Sequence, residues 1–147
     1  MILYHITPFR RVKSIQRRGL IPPTFLSNKR NLNQWILSYL IHFYNSGRGG
    51  NLSVFRVEVP NNWFYDGSRI YKGETNIEPE YVVGEHITQD RVKLLKTIPV
   101  KSTVEKGIKE GWILQVLPSG KEVKPKWKSR RRKQFARFAR KIGKNNA

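Results

Sequence analysis

The clearest periodic pattern in the chain lies between positions 32 and 43, where large apolar residues recur at the spacing of one helix face. These residues stand three or four positions apart: Leu32, Trp35, Ile36, Tyr39, Leu40 and Phe43. An α-helix has 3.6 residues per turn, so side chains at this spacing share one side and face a core. We therefore predict a helix here, capped by Asn28 or Asn31 and ended by the glycine-rich segment 45–50.

Shorter runs of β-branched, aromatic and other apolar residues, bounded by proline or glycine, predict strands. The runs are 1–4, 24–27, 52–59, 81–83, 91–98 and 112–117. A second helix is predicted over about Phe9–Arg18, with Thr7 as its N-cap and Gly19 at its end. Residues 61–73, which hold two turn dipeptides, are predicted to be a loop. Strands interspersed with helices give a mixed α/β (α+β) fold.

Charge divides the chain unevenly. Of 29 lysines and arginines, 12 fall within residues 121–147 with a single glutamate, and the formal net charge is +19. We predict a domain over residues 1–100, a segment that closes it over 101–120, and a basic arm, helical or disordered, over 121–147. The residues expected to bind nucleic acid in this arm are Lys126, Trp127, Lys128, Arg130, Arg131, Arg132, Lys133 and Arg137. A field of this sign favours polyanions, with DNA or RNA first and an anionic membrane surface second.

Composition also narrows the chemistry. The chain has no cysteine, which excludes disulfides, catalysis by a thiol and cysteine-based zinc sites. No apolar run reaches the roughly 18 residues of a membrane span, so a cytoplasmic location is expected. His42 and His86 are scattered and predict no metal site.

Acidic residues are scarce, yet four of the ten lie within positions 74–87. One of them, Glu80, leads directly into the strand-like run Tyr81-Val82-Val83. A carboxylate at the start of a rigid strand is well placed for catalysis. A solvent-exposed carboxylate with no such role is the alternative interpretation.

Four sequence blocks in this order resemble a known family. They are Leu3-Tyr4-His5-Ile6-Thr7, the helix end Gly19-Leu20, Thr24-Phe25-Leu26-Ser27 and Glu80-Tyr81-Val82-Val83. Together they resemble the ADP-ribosyltransferase superfamily of the His-Tyr-Glu type, closest to its DNA-modifying, DarT-like toxin branch, over roughly residues 2–98. The resemblance implies a split antiparallel β-sheet.

The same resemblance implies NAD as co-substrate and assigns roles to individual residues. In such a family Glu80 would be the catalytic carboxylate, and His5 and Thr7 would position NAD. Phe25 would line the nicotinamide pocket, where tyrosine is commoner, with Ser27 and Tyr39 beside it. A toxin of this kind would have an antitoxin or inhibitor as partner.

Glycosidic chemistry supports that role for Glu80 without reference to the family. Cleavage of the nicotinamide–ribose bond develops positive charge on the ribose, which a carboxylate stabilises while it holds the neighbouring hydroxyl. Three other functions stay open. They are a non-catalytic nucleic-acid-binding protein, an RNA 2′-phosphotransferase, which the presence of Glu80 argues against, and arginine modification, which the spacing Glu78-x-Glu80 permits.

Overall fold

The structure is a computed structural model that describes residues 1–48, 50–65, 70–73, 80–116 and 122–125. These residues form three α-helices and eight strands. The helices are α1 (Val12–Arg18), α2 (Leu32–Asn45) and α3 (Val100–Glu110). The strands are β1 (Ile2–Pro8), β2 (Thr24–Ser27), β3 (Asn51–Glu58), β4 (Ile70–Gly73), β5 (Glu80–Val83), β6 (Val92–Pro99), β7 (Ile113–Val116) and β8 (Glu122–Pro125).

Six strands form one antiparallel sheet in the order β4-β5-β2-β1-β3-β6, and β7 and β8 form a separate hairpin. The central strand β1 pairs over very different lengths with its two neighbours. β1 pairs with β3 over seven positions, from Ile2 opposite Glu58 to Pro8 opposite Leu52. On its other side β1 pairs with β2 at one position, Tyr4 opposite Ser27. The predicted mixed α/β fold with an antiparallel sheet is confirmed.

Each face of the sheet carries its own apolar layer, because strand side chains alternate between the two faces. α1 covers one face, where Val12 and Ile15 pack with Leu3 and Phe55. α2, α3 and the β7–β8 hairpin cover the other, around Ile36, Leu40, Val54, Val104 and Trp112. The apolar stripe predicted for residues 32–43 faces this second layer, although Trp35 and Tyr39 are only partly buried.

Several predicted boundaries need correction. Thr7 is not a helix cap: β1 runs through it to Pro8, a 3₁₀ turn follows at Phe9–Arg11, and α1 begins only at Val12. A fixed proline φ suits both a strand end and a turn start, so the Thr-Pro pair fitted either assignment. Asn31 is the N-cap of α2 without a side-chain cap, while Asn28 Oδ1 accepts a hydrogen bond from the Asn31 N–H at 2.9 Å.

Two other segments also differ from the prediction. The predicted loop 61–73 contains a 3₁₀ turn (Asn61–Tyr65) and the edge strand β4. In the predicted arm, Glu122–Pro125 form β8, and Val123 is buried in the core. The folded domain therefore extends to Pro125, beyond the predicted boundary at residue 120.

Candidate functional site

Three neighbouring strands carry the predicted catalytic residue and every predicted NAD residue except Tyr39, which lies in α2. Ser27 of β2 pairs with Tyr4 of β1 on one side and with Glu80 of β5 on the other. Adjacent strands lie about 4.8 Å apart, so positions 4 and 80 are separated by roughly 10 Å. Segments from three distant parts of the sequence thus meet in one row across the sheet.

The sheet opens beside this row. Backbone pairing between β1 and β2 is confined to Tyr4 and Ser27, whereas β1 continues along β3. The imidazole of His5, the next residue, lies across the opening, and its Nδ1 is 3.0 Å from the Phe25 carbonyl oxygen. A side chain therefore joins the two strands where their backbone pairing has stopped.

The protonation of His5 follows from this contact and from burial. Desolvation lowers the pKa of His5 below its usual value of 6.5, and the nearby Arg11 lowers it further. The hydrogen bond to the Phe25 carbonyl opposes this shift and is outweighed. The ring is therefore neutral at pH 7. Because a carbonyl oxygen only accepts, Nδ1 carries the proton and Nε2 is left as an acceptor.

A cavity of about 300 Å³ adjoins His5 on the α1 side of the sheet. Arg11, Ser14 and Thr24 contribute polar groups to its lining, and Gly19 contributes backbone. This volume is at the lower end of the range for small-molecule sites. An imidazole acceptor, a guanidinium and two hydroxyl residues suit a ligand that carries hydroxyls and negative charge.

The wall of this cavity at Gly19 is tightly packed. Gly19 has φ +74°, and a Cβ there would collide with the Ile87 carbonyl oxygen. The next residue, Leu20, exchanges two backbone hydrogen bonds with Ile87, at 2.8 and 3.0 Å. His86 Nε2 lies 2.6 Å from the Arg18 carbonyl oxygen, so this histidine holds the end of α1.

Glu80 is the first residue of β5, as predicted. Its backbone lies opposite Ser27 on one side and Gly73 on the other, and the carboxylate lies outside the described part of the structure. Val82 and Val83, which follow in the strand, are buried. Glu80 therefore begins a strand whose next residues are held in the core.

The predicted NAD residues do not all share one wall. His5 lies on the sheet face that packs against α1, while Phe25 and Ser27, by alternation, lie on the opposite face. The Phe25 side chain is 47% exposed, and the buried Ser27 hydroxyl donates to the Asn28 carbonyl at 2.9 Å. The hydrogen bond from His5 Nδ1 to the Phe25 carbonyl oxygen is the link between His5 and the strand that carries Phe25 and Ser27.

Two of the predicted NAD residues, Thr7 and Tyr39, make packing contacts in the structure. Thr7 is 3% exposed, opposite Ser53 in the β1–β3 ladder, and its side chain is closed to a ligand. The Tyr39 ring lies 6.3 Å from the Trp35 ring and 6.1 Å from the Phe43 ring, centroid to centroid. The family resemblance placed both near NAD, whereas the burial of Thr7 and the ring contacts of Tyr39 come from the tertiary structure.

Sequence reasoning missed a second cavity, of about 450 Å³, lined in part by Phe9, Arg10, Phe43 and Arg48. Its lining residues come from β1, the 3₁₀ turn, α2, the segment after α2, β3 and α3, so no local pattern revealed it. The sequence-level signal was an exposed phenylalanine between Pro8 and two arginines.

The predicted nucleic-acid-binding residues of the arm all lie outside the described residues. They are Lys126, Trp127, Lys128, Arg130, Arg131, Arg132, Lys133 and Arg137. Within the described ranges, no three His, Asp or Glu side chains are close enough together to hold a metal ion. No helix among the described elements combines the length and apolarity needed to cross a membrane.

No protein-family model matches this chain, and no curated protein matches it at a significant level.

Proposed function

We propose that this protein transfers ADP-ribose from NAD to a nucleic-acid acceptor, with Glu80 as the catalytic carboxylate, in the manner of a His-Tyr-Glu ADP-ribosyltransferase. The observation that carries the proposal is the row Tyr4-Ser27-Glu80 across β1, β2 and β5, together with the opening of the sheet at His5. Such an opening is the feature that a split-sheet fold requires.

The reaction balances without a further reagent. The bond between the ribose C1 and the nicotinamide nitrogen breaks, and nicotinamide leaves with the electron pair. A nucleophilic atom of the acceptor forms the new bond to C1 and loses its proton to solvent. A carboxylate at position 80 would stabilise the positive charge that develops on the ribose and accept a hydrogen bond from its 2-hydroxyl.

His5 suits the binding of the co-substrate rather than acid–base catalysis. Its lowered pKa keeps the ring uncharged, and Nε2 is then an acceptor for a ribose hydroxyl. Arg11 lines the same cavity and can pair with the pyrophosphate. A single ligand contacts both His5 and a carboxylate at position 80 only if it occupies the opening between β1 and β2. Elsewhere the continuous sheet separates its two faces.

The acceptor is inferred from charge. A formal net charge of +19 on 147 residues attracts nucleic acid far more strongly than a neutral protein would. Phe25, 47% exposed beside the opening, offers a ring on which a flat base or the nicotinamide can stack.

The test measures incorporation of labelled ADP-ribose. Purified protein is incubated with labelled NAD and single-stranded DNA, RNA or a protein mixture, and both labelled acceptor and free nicotinamide are quantified. Label is expected in nucleic acid, and Glu80→Gln is expected to reduce transfer by about 100-fold or more, because the charge that stabilises the transition state is lost. Glu85→Gln, at an exposed carboxylate five residues away, is the matched control and should retain activity. Transfer that survives Glu80→Gln would exclude the mechanism.

A second function, a nucleic-acid-binding protein without catalysis, is favoured by the division of His5 and Phe25 between two sheet faces. It predicts salt-sensitive binding and no nicotinamide release with any acceptor. Modification of protein arginine is distinguished in the same assay by label in the protein fraction; Glu78, on which that alternative depends, lies outside the described residues.

A further inference from the structure

The 3₁₀ turn Phe9–Arg11 contributes lining residues to two cavities. Arg11 lines the cavity beside His5. Phe9 and Arg10 line the larger cavity of about 450 Å³, which we call the Arg10 cavity. One short turn that directly follows β1 thus supplies a cation to each of two neighbouring sites.

The opposite wall of the Arg10 cavity comes from distant parts of the chain. Phe43 lies in the last turns of α2, Arg48 in the loop after it, and Val100 is the first residue of α3. The Arg48 guanidinium carbon lies 5.8 Å from the centre of the Phe43 ring. That distance is within the range of a cation–π contact, which holds the guanidinium at the cavity.

The chemistry of this lining is cationic and aromatic. Arg10 and Arg48 are both exposed, and Phe9 is 49% exposed. The described lining residues include no carboxylate. Two guanidiniums and an accessible ring are the groups that bind a phosphate together with a stacked base.

Strand β8 also docks on the end of α2, which contributes to this cavity. Asn45, the last residue of α2, donates from Nδ2 to the Val123 carbonyl at 2.9 Å and accepts from the Val123 N–H at 2.8 Å. Arg48 is three residues beyond Asn45, and the twelve-cation segment 121–147 includes Val123. A polyanion drawn to that segment is therefore brought to the end of α2 where Arg48 lies.

We propose that the Arg10 cavity binds one nucleotide unit of a single-stranded nucleic acid, with its phosphates on Arg10 and Arg48 and its base on Phe9. This inference rests on the proposed function, because the bound strand is the acceptor of ADP-ribose. The turn Phe9–Arg11 lines both cavities, so a strand in the Arg10 cavity is presented to the His5 cavity across this turn. A single strand is specified because a base within a duplex cannot stack on a side chain without leaving its own stack.

The first test measures binding alone, without NAD, so that it is independent of catalysis. Affinity of the full chain for a fluorescent 12-nucleotide oligothymidylate is measured by anisotropy over a range of salt concentrations. The double variant Arg10→Ala/Arg48→Ala is expected to bind about tenfold more weakly, with the slope of log affinity against log salt reduced by about 1.4, since each phosphate contact to a single strand contributes about 0.7.

The control removes the same charge elsewhere. Arg17→Ala/Arg18→Ala deletes two exposed cations from the last turn of α1, and neither residue lines the Arg10 cavity. This pair should leave the slope within about 0.3 of the wild type, because no phosphate contact is removed. Equal changes for both pairs would show that only total charge matters and would overturn the proposal.

The second test isolates stacking. Phe9→Leu keeps an apolar side chain and removes the ring, and it is expected to weaken oligothymidylate binding about fivefold to tenfold with the salt slope unchanged. Thermal unfolding of the variant confirms that it is folded, since Phe9 is half exposed. Wild-type affinity in Phe9→Leu would overturn the proposed base position.

Failure of this proposal and failure of the proposed function give different results. Glu80→Gln should bind oligothymidylate as the wild type does while it loses transfer. The Arg10→Ala/Arg48→Ala variant should lose transfer to nucleic acid while it still hydrolyses NAD slowly in the absence of acceptor. Loss of NAD hydrolysis in the cavity variant would place Arg10 or Arg48 in the NAD site instead and contradict the assignment.

Discussion

At the scale of single residues, His5 has the most unusual environment among the residues considered for catalysis or NAD binding. It lies in β1, yet its ring bonds to the backbone of β2 and faces a cavity. Burial there disfavours the charged imidazolium more than the hydrogen bond to Phe25 favours it, so the pKa falls. The same residue thus serves the fold, as a link between strands, and the proposed site, as a neutral acceptor.

This lowered pKa predicts how stability depends on pH. The folded protein binds the His5 proton less tightly than the unfolded chain, whose histidine has its usual pKa of 6.5. Above that pH both states are neutral at this position and contribute no pH dependence. Below it the unfolded chain takes up the proton first, so the free energy of unfolding falls as the pH falls.

The measurement is denaturant unfolding at several pH values between about 7.5 and 5.5, the window set by an unfolded histidine pKa near 6.5. His5→Asn, whose amide nitrogen can replace Nδ1 as donor to Phe25, should show a flatter profile than the wild type across this window. Asp90, whose pKa is lowered mainly by a hydrogen bond from Thr88, acts below pH 3.8 and does not interfere. Identical profiles would show that His5 is not the group that titrates.

At the scale of elements, α3 shows how one glycine sets the packing of a helix. α3 follows Pro99 and ends at Gly111, which has φ +82° in the left-handed region. A Cβ on Gly107 would lie 2.7 Å from Trp112 ring carbons and 2.6 Å from Ile113 Cδ1. Trp112 is 1% exposed, and its ring packs against α3 at Gly107. Glycine leaves room for the ring there because it has no Cβ.

Replacement of Gly107 therefore tests two opposing effects. In an exposed helix, Gly→Ala would stabilise by about 1 kcal/mol through helix propensity. Here the added methyl must displace a buried indole, and overpacking of this kind costs about 1–3 kcal/mol. The difference is a net loss, and we expect Gly107→Ala to lower the free energy of unfolding by up to about 2 kcal/mol, measured in urea.

Glu105→Ala provides the comparison, because Glu105 is exposed on the same helix. It should change stability by no more than about 0.5 kcal/mol. A stabilised Gly107→Ala protein would mean that Trp112 does not pack against this helix.

At the scale of the whole molecule, the β7–β8 hairpin completes the core. Val123 is 3% exposed and belongs to the apolar layer under α2 and α3. Both its backbone polar groups bond to the Asn45 side-chain amide. A segment that reads in sequence as part of a basic tail thus bonds to the side chain of the last residue of α2.

Two truncations, after Pro125 and after Gly120, measure what this strand contributes. The shorter chain loses the burial of Val123, the pairing with β7 and both bonds to Asn45. We expect it to be less stable than the longer one by about 2–4 kcal/mol, from the lost burial of one valine and the net contribution of the lost hydrogen bonds. Equal midpoints in guanidinium chloride would show that β8 is not part of the cooperative unit.

Most elements could be predicted because their signals are local. The apolar spacing of α2, the run Thr24–Ser27 of β2 and the abrupt start of β5 at Glu80 were all correct. α3 was not predicted, although Val100, Val104 and Ile108 recur at every fourth position and Gly111 closes the helix. The many lysines between these apolar residues made the segment look like a polar loop, although the apolar spacing by itself predicts a helix.

By itself, the sequence determined the positions of most helices and strands and the strong positive charge, and it predicted a carboxylate suited to glycosidic chemistry at Glu80, because each is a property of neighbours along the chain. The tertiary structure decided which of those residues meet. Strand pairing brought residues 4, 27 and 80 into one row, and the alternation of side chains across the sheet assigned His5 and Phe25 to different faces. Pairing and burial are set by contacts between segments far apart in sequence, so local patterns could not have revealed that Thr7 is buried opposite Ser53 or that Arg10 and Arg48 line one cavity.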